Sequence, residues 1–238
     1  MSSDEGKTPK FSAEMAVHAT TTLVAGAVGI GHPEAGLLLA MAKDFTDPVL
    51  EGFVEKLKIQ YEERARTALA FAANEAGLTA SGFMLSIDSD HRKMTLTAQT
   101  IQAATQTPLE QKIIALGRSL GRGVRDETLV DAEMLRIRGL AGIETWEVQL
   151  MEVLSAGPPV PQSSRIEDQR LPGWTRSDIL SVRSGFAAAV DASVARLTRE
   201  GMARDASIGG FGGGEPRWIL TEFGQECLCL LRTVPSPA

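Results

Sequence analysis

Residues 47–77 read DPVLEGFVEKLKIQYEERARTALAFAANEAG and predict the longest helix of the chain. Asp47 is a residue type that caps helices, Pro48 is favoured in a first helical turn, and Gly77 is a typical helix stop. Between them, apolar residues recur every three or four positions, which is the period of an α-helix with one buried face. These residues are Leu50, Phe53, Val54, Leu57, Tyr61, Ala65, Ala68, Leu69 and Ala72.

The apolar stripe of this helix has two interpretations. A stripe of this length is usually part of the protein's own core, and the alternative is a coiled-coil seam with a second helix. If the alternative holds, Leu50, Val54, Leu57 and Tyr61 are the candidate self-association residues.

Composition indicates the same class of fold. The chain has 238 residues, of which 43% are hydrophobic, 23% are charged and only 5% are aromatic. A core built mainly from Leu, Ile, Val, Met and Ala suits packed helices better than a β-sandwich. We therefore predict a mainly α fold.

The charge of the chain argues against electrostatic binding of duplex DNA. The net charge is −6, and the region from Arg165 to the end is neutral, with nine Arg, no Lys and nine Asp plus Glu. DNA-binding surfaces usually have a basic face, because phosphate neutralisation supplies most of the sequence-independent affinity. Neither the region before Arg165 nor the region from Arg165 onward has a net positive charge.

A strongly apolar segment precedes the long helix. Residues 17–33 contain no Asp, Glu, Lys or Arg, and residues 35–42 are apolar again. Gly31-His32-Pro33 interrupts the run before it reaches the roughly 20 residues that a membrane-spanning helix needs. We predict two short helices buried as a core hairpin, with a membrane-inserting hairpin as the alternative. Residues 1–10 lack the order of a secretory signal, which favours a cytoplasmic protein.

Further helices are predicted in the middle of the chain. The pattern is weak over residues 78–107, which are rich in Thr and Gln from Met94 onward. A clearer amphipathic helix begins at Leu109 and is expected to end at the cluster Gly121-Arg122-Gly123. Helices over residues 126–140 and 145–154 follow.

A proline-rich stretch predicts the domain boundary. Residues 156–164 read AGPPVPQSS, and this run of prolines and small polar residues favours extended backbone over helix. We therefore predict a helical domain over residues 1–155, a linker over 156–164 and a second domain over 165–238.

The second domain is predicted to contain two helices, two strands joined by a glycine-rich turn, and a last helix, in that order. Two helices are predicted over residues 177–181 and 184–200, followed by a strand over 202–206. The glycine run 209–214 is a turn, and a strand over 217–220 leads into a last helix. The phrase Trp218-Ile-Leu-Thr-Glu-Phe-Gly224 resembles the ending of winged-helix domains. The expected fold is thus a helical N-terminal domain followed by a small α+β winged-helix domain.

The helix in the recognition position is poorly equipped to read DNA. Its predicted outer face carries Ala188, Asp191, Ala192, Ala195 and Arg199, and of these only Arg199 can donate two hydrogen bonds to guanine. The residues proposed to contact DNA or a partner are Arg183, Arg196, Arg199 and Arg217. Binding of a protein partner or self-association through this fold is favoured over DNA binding.

Three stretches of the chain carry a likeness to a known family. They are KIIALGR over Lys112–Arg118, DETLVD over Asp126–Asp131, and the helix over residues 144–154. With the apolar N-terminus, the long charged helix and the winged tail, they resemble the abortive-infection alpha group of bacterial proteins over about half of the chain. This resemblance implies a role in phage resistance, with the apolar hairpin as an effector and the winged tail as a sensor.

The residues that support chemistry in other proteins are sparse here. Cys227 and Cys229 are two positions apart on a predicted helix, so their side chains point away from each other and a disulfide between them is not expected. Asp88-Ser-Asp90-His91 is interpreted as a polar turn rather than a metal site. No nucleophile elbow, zinc-protease helix or phosphate-binding loop occurs in the sequence. We expect no cofactor, metal or small-molecule ligand.

These patterns together predict a non-enzymatic binding protein that associates with itself or with a protein partner. A winged-helix DNA-binding regulator is the first alternative. A membrane-associating effector that acts through the apolar hairpin is the second.

Overall fold

The computed structural model describes residues 48–157, 173–207 and 215–232. These ranges are mainly helical, with one small two-stranded sheet near the C-terminal end. The α-helices are α1 (Pro48–Ala76), α2 (Ala80–Asp88), α3 (His91–Gln106), α4 (Glu110–Arg125), α5 (Val130–Ala141), α6 (Thr145–Ser155), α7 (Arg176–Val182), α8 (Val190–Arg199) and α9 (Glu222–Arg232). The strands are β1 (Ala203–Asp205) and β2 (Trp218–Leu220), and short 3-10 helices cover Glu127–Leu129 and Ser184–Phe186.

The long helix predicted from residues 47–77 is confirmed. It has 29 residues and ends before Gly77, whose φ of +69° is the left-handed conformation that favours glycine after a helix. Its second half supplies Ala65, Ala68 and Ala72 to the core, each with no exposed surface.

The prediction that α4 ends at Gly121-Arg122-Gly123 is wrong, because the helix continues to Arg125. Gly121 faces α1 so closely that an added Cβ would lie 2.5 Å from the carbonyl oxygen of Ala72. A Cβ on Gly117 would likewise collide with the carbonyl of Ala68. These glycines therefore serve as contact points between two backbones and do not stop the helix.

The stretch with the weak pattern, residues 78–107, forms α2 and α3. Helix α3 buries Thr97 and Thr100 in the core. The hydroxyl of Thr97 donates a hydrogen bond to the carbonyl of Lys93 at 2.8 Å, and that of Thr100 donates to the carbonyl of Leu96 at 2.8 Å. A hydroxyl that is satisfied within its own helix can be buried at little cost, so this helical face needs few apolar residues.

The single helix predicted over residues 184–200 is wrong in its first part. A 3-10 turn over Ser184–Phe186 comes first, and α8 begins at Val190. The break turns Phe186 inward, where it is 1% exposed and packs edge-to-face on Trp146 of α6 at 5.1 Å between ring centroids.

The two predicted strands are present and pair with each other. β1 and β2 are antiparallel, with Ala203 opposite Leu220 and Asp205 opposite Trp218. Trp174, just before α7, forms an isolated antiparallel bridge with Trp218 on the sheet. The predicted glycine turn, residues 209–214, lies outside the described residues.

One buried apolar cluster contains residues from both sides of the predicted boundary. It includes Leu116 and Leu120 of α4 together with Val194 of α8 and Leu228 of α9. The linker predicted over residues 156–164 lies outside the described ranges from Pro158 onward, and the domain boundary stays a prediction.

No helix within the described ranges is long and apolar enough to cross a membrane. The apolar segment of residues 17–42, predicted as a hairpin, lies outside those ranges.

Candidate interaction surfaces

The first half of α1 projects beyond the helices that pack on the second half. Helix α3 ends near Arg64, whose guanidinium donates to the carbonyl of Thr105 at 2.9 Å. Helix α4 runs parallel to α1, with Gly121 at the level of Ala72, so its first residue lies at about the level of Tyr61. Residues 48–60 therefore extend about 20 Å past the end of both helices. We call this projection the α1 arm.

The α1 arm exposes apolar side chains. Phe53 is 58% exposed and Ile59 is 54% exposed, whereas Leu57 and Tyr61 are half-buried. Of the four predicted self-association residues, Leu57 thus lies on the arm and Tyr61 at its base, each with part of its surface accessible. The side chains of the other two, Leu50 and Val54, lie outside what the structure describes.

The outer face of α8 is the second candidate surface. Ala188 precedes this helix, and Ala188, Asp191, Ala192 and Ala195 are all exposed, as the sequence predicted. Asp191 is paired with the guanidinium of Arg176 at 3.3 Å. These four residues offer small side chains and a compensated acidic group, which do not donate hydrogen bonds to base edges, so Arg199 is the one such donor among the five residues predicted on this face.

The four arginines predicted as DNA or partner contacts are in unequal situations. Arg199 is paired with Glu200 at 3.0 Å, and Arg196 lies 3.9 Å from the carboxylate of Glu147. Arg217 is half-buried beside β2. Arg183 is exposed and has no ion pair with any described residue. Only Arg196 and Arg199 share one element, so the set does not form one basic patch on a single helix or strand.

A buried polar network ties α8 to the helical bundle. Glu147, 5% exposed, accepts hydrogen bonds from the hydroxyl of Ser193 in α8 at 3.1 Å and from the backbone N–H of Glu144 at 2.9 Å. Glu144 in turn accepts a hydrogen bond from the ammonium of Lys112 at 2.9 Å. The position of α8 is therefore fixed through α6 to α4.

Lys112, near the start of α4, is almost completely buried at 1% exposure. Its ammonium also donates to the carbonyls of Ile143 at 2.6 Å and Ala141 at 3.2 Å, where α5 ends. Burial lowers the pKa of Lys112, while its hydrogen bond to Glu144 opposes that shift. Its contacts are those of a residue that joins α4, α5 and α6.

A second polar tie connects α5 to the last helix. Arg136 pairs with Glu133 of its own helix and, at 2.6 Å, with Glu226 of α9. Glu133 is 1% exposed and accepts a hydrogen bond of 2.6 Å from the hydroxyl of Ser119. Burial raises the pKa of Glu133, and the bond from Ser119 and the charge of Arg136 oppose this. This cluster, too, holds helices together.

The two cysteines are free thiols with opposite exposure, as their spacing predicted. Cys227 is buried and Cys229 is exposed. Burial raises the pKa of the Cys227 thiol to about 12.

The polar turn before α3 contributes a helix cap. The side chain of Asp90 accepts a hydrogen bond from the backbone N–H of Arg92 at 2.7 Å. Within the described ranges, no three His, Cys, Asp or Glu side chains are grouped in a way that could hold a metal ion.

Trp146 is a surface residue that the sequence reasoning missed. It is 47% exposed at the start of α6, with its ring on Phe186. The sequence alone does not indicate whether a single aromatic residue in the first turn of a helix is exposed or buried.

Comparisons with family models, with curated proteins and with solved structures give no match to this chain.

Proposed function

We propose that this chain is a non-enzymatic binding protein that associates with a second copy of itself through the α1 arm. The observation behind this proposal is the arm itself, a helix that leaves the bundle with Phe53 more than half exposed and with Leu57 partly exposed on the same face. A helix with apolar side chains that extends past its own core can bury them against a partner helix.

The apolar stripe indicates which side of the α1 arm would contact the second copy. Leu57 and Tyr61 continue, at steps of four residues, the same helical face on which Ala65 and Ala72 are completely buried. Ile59 lies on the opposite side of the helix from Leu57, because residues two positions apart on an α-helix are rotated by about 200° about its axis. Self-association is therefore expected to depend on Leu57 and to tolerate changes at Ile59.

Sedimentation of the full chain over a range of concentrations tests this. We expect a concentration-dependent dimer or larger species for the natural sequence, loss of that species in Leu57→Glu, and retention in Ile59→Glu, the matched control on the other side of the arm. Circular dichroism should give the same helical content for all three. A wild-type protein that remains a monomer at every concentration would contradict the proposal.

We also propose that the C-terminal part is a winged-helix module. Support comes from the order of α7, α8, β1, β2 and α9, and from the antiparallel bridge of Trp174 to the sheet ahead of the two helices. The resemblance to the abortive-infection alpha group further suggests a role in phage defence. That role predicts fewer plaques on bacteria that express the chain, and recovery of plaques with Leu57→Glu.

DNA binding is the second candidate function, favoured by this helix order and by the exposed Arg183, which forms no ion pair with the described residues. A gel-shift assay at low salt tests it, with Arg199→Ala and Arg217→Ala expected to weaken any binding. Asp191→Ala should strengthen it by releasing Arg176 from its ion pair. No shift of duplex DNA by the wild type at low salt would exclude this function.

A further inference from the structure

The apolar face of the α1 arm is only partly covered. The face that α3 and α4 cover at Ala65, Ala68 and Ala72 continues outward to Tyr61 and Leu57, which keep part of their surface accessible. Phe53, one turn further out, is 58% exposed. This face, formed by Phe53, Leu57 and Tyr61 and here called the arm stripe, keeps apolar surface exposed that an apolar occupant could cover.

The chain contains an apolar segment directly ahead of the arm. Residues 17–33 have no charged side chain, and residues 35–42 are again apolar. Only five residues, 43–47, separate this segment from the first residue of α1. Five extended residues span up to about 17 Å, which is enough for the chain to turn back along the arm.

We propose that residues 17–42 dock on the arm stripe of their own chain and compete there with a second copy. A short tether gives the attached segment an effective concentration in the millimolar range, far above the concentration of free protein in solution. Docking removes from water both the apolar segment and the apolar side chains of the arm. The arm stripe is thereby held closed to self-association until the segment leaves it. This inference rests on the self-association proposed above and adds its regulation.

A photo-crosslinking residue in place of Tyr61 identifies the occupant. In the full chain at low concentration, we expect crosslinks from position 61 to residues 17–42 within one chain. The same photo-crosslinking residue in place of Ile59, on the far side of the helix, should give few of them. Crosslinks between two arms, with none to residues 17–42, would overturn the inference and leave self-association intact. Crosslinks to neither would also overturn it, and sedimentation then decides separately whether the chain self-associates.

A substitution in the segment tests the competition. Val24→Glu should weaken docking, and we expect it to tighten the dimer dissociation constant by about tenfold or more. Ser12→Glu, which adds the same charge outside residues 17–42, should leave that constant unchanged. An unchanged or weaker dimer in Val24→Glu would overturn the inference. Co-sedimentation with phosphatidylglycerol vesicles, with loss of the crosslinks to position 61, would also overturn it, in favour of membrane binding by the segment.

Discussion

The hydroxyl of Ser193 in α8 donates a hydrogen bond of 3.1 Å to the carboxylate of Glu147 in α6, 46 positions earlier in the chain. Ser193 is 1% exposed and Glu147 is 5% exposed, so water cannot readily replace either partner. A buried carboxylate that loses a hydrogen-bond donor keeps the cost of its desolvation. This bond is therefore one of the buried contacts that hold α8 on the helical bundle.

Ser193→Ala is expected to lower the free energy of unfolding by about 1–3 kcal/mol. Thr198→Ala, an exposed position on the same helix, is the matched control and should change it by no more than about 0.5 kcal/mol. Urea unfolding followed by circular dichroism measures both. Equal effects of the two substitutions would show that the bond to Glu147 contributes nothing to stability.

Gly121→Ala is expected to destabilise the protein by about 1–3 kcal/mol, because the new Cβ would lie 2.5 Å from a backbone oxygen of α1 and the helices would have to move apart. Gly52→Ala is the contrasting substitution, since nothing lies within 4 Å of a Cβ at that position on the α1 arm. It should stabilise the helix by up to about 1 kcal/mol through better helix propensity. Thermal unfolding compares the two, and a destabilising effect of the same size in both would contradict the close contact of α1 and α4.

The glycines of α4 also show where sequence reasoning fails. Residues 47–77 specify α1 with its cap, its period and its stop, and the structure has that helix with almost the same bounds. Gly121 has no such local meaning, because a glycine that ends a helix and a glycine that touches a neighbouring backbone are identical in a sequence. The role of Gly121 becomes clear only from the structure, in which the carbonyl of Ala72 on α1 lies against it.

Helix α3 gave only a weak pattern in the sequence for a related reason. Thr97 and Thr100 look polar, but each hydroxyl is satisfied by a carbonyl of the preceding turn, so both lie in the core. For the candidate surfaces, the sequence placed Leu57 and Tyr61 on the correct helix. The sequence contained no information on the level along α1 at which α3 ends and α4 begins. Because both termini lie near residues 61–64, the preceding residues of α1 project as the α1 arm.

Lys112→Met is expected to lower the free energy of unfolding by about 2–4 kcal/mol at neutral pH, since the carbonyls of Ala141 and Ile143 would lose their donor. The pH dependence should change as well. Because the pKa of Lys112 is lowered by burial, the unfolded chain binds more protons than the folded chain between that pKa and the usual 10.5. In this window Lys112 makes stability rise with pH.

The wild type should therefore gain stability relative to Lys112→Met as the pH is raised toward 10.5. Urea unfolding of both proteins at several pH values measures the difference, in which all other titrating groups cancel. A constant difference across this range would mean that the pKa of Lys112 is the same in the folded and unfolded chains.

The two thiols should differ sharply in reactivity, although they are two residues apart. Cys229 is exposed, whereas Cys227 has no exposed surface and its pKa is raised to about 12 by burial. At pH 8 Cys227 would therefore be almost entirely protonated, and the thiolate is the form that reacts. Iodoacetamide should thus modify the native protein once, at Cys229, and modify Cys227 only in denaturant. Mass spectrometry of the peptide that contains both residues gives the result, and equal modification of the native pair would place Cys227 outside the core.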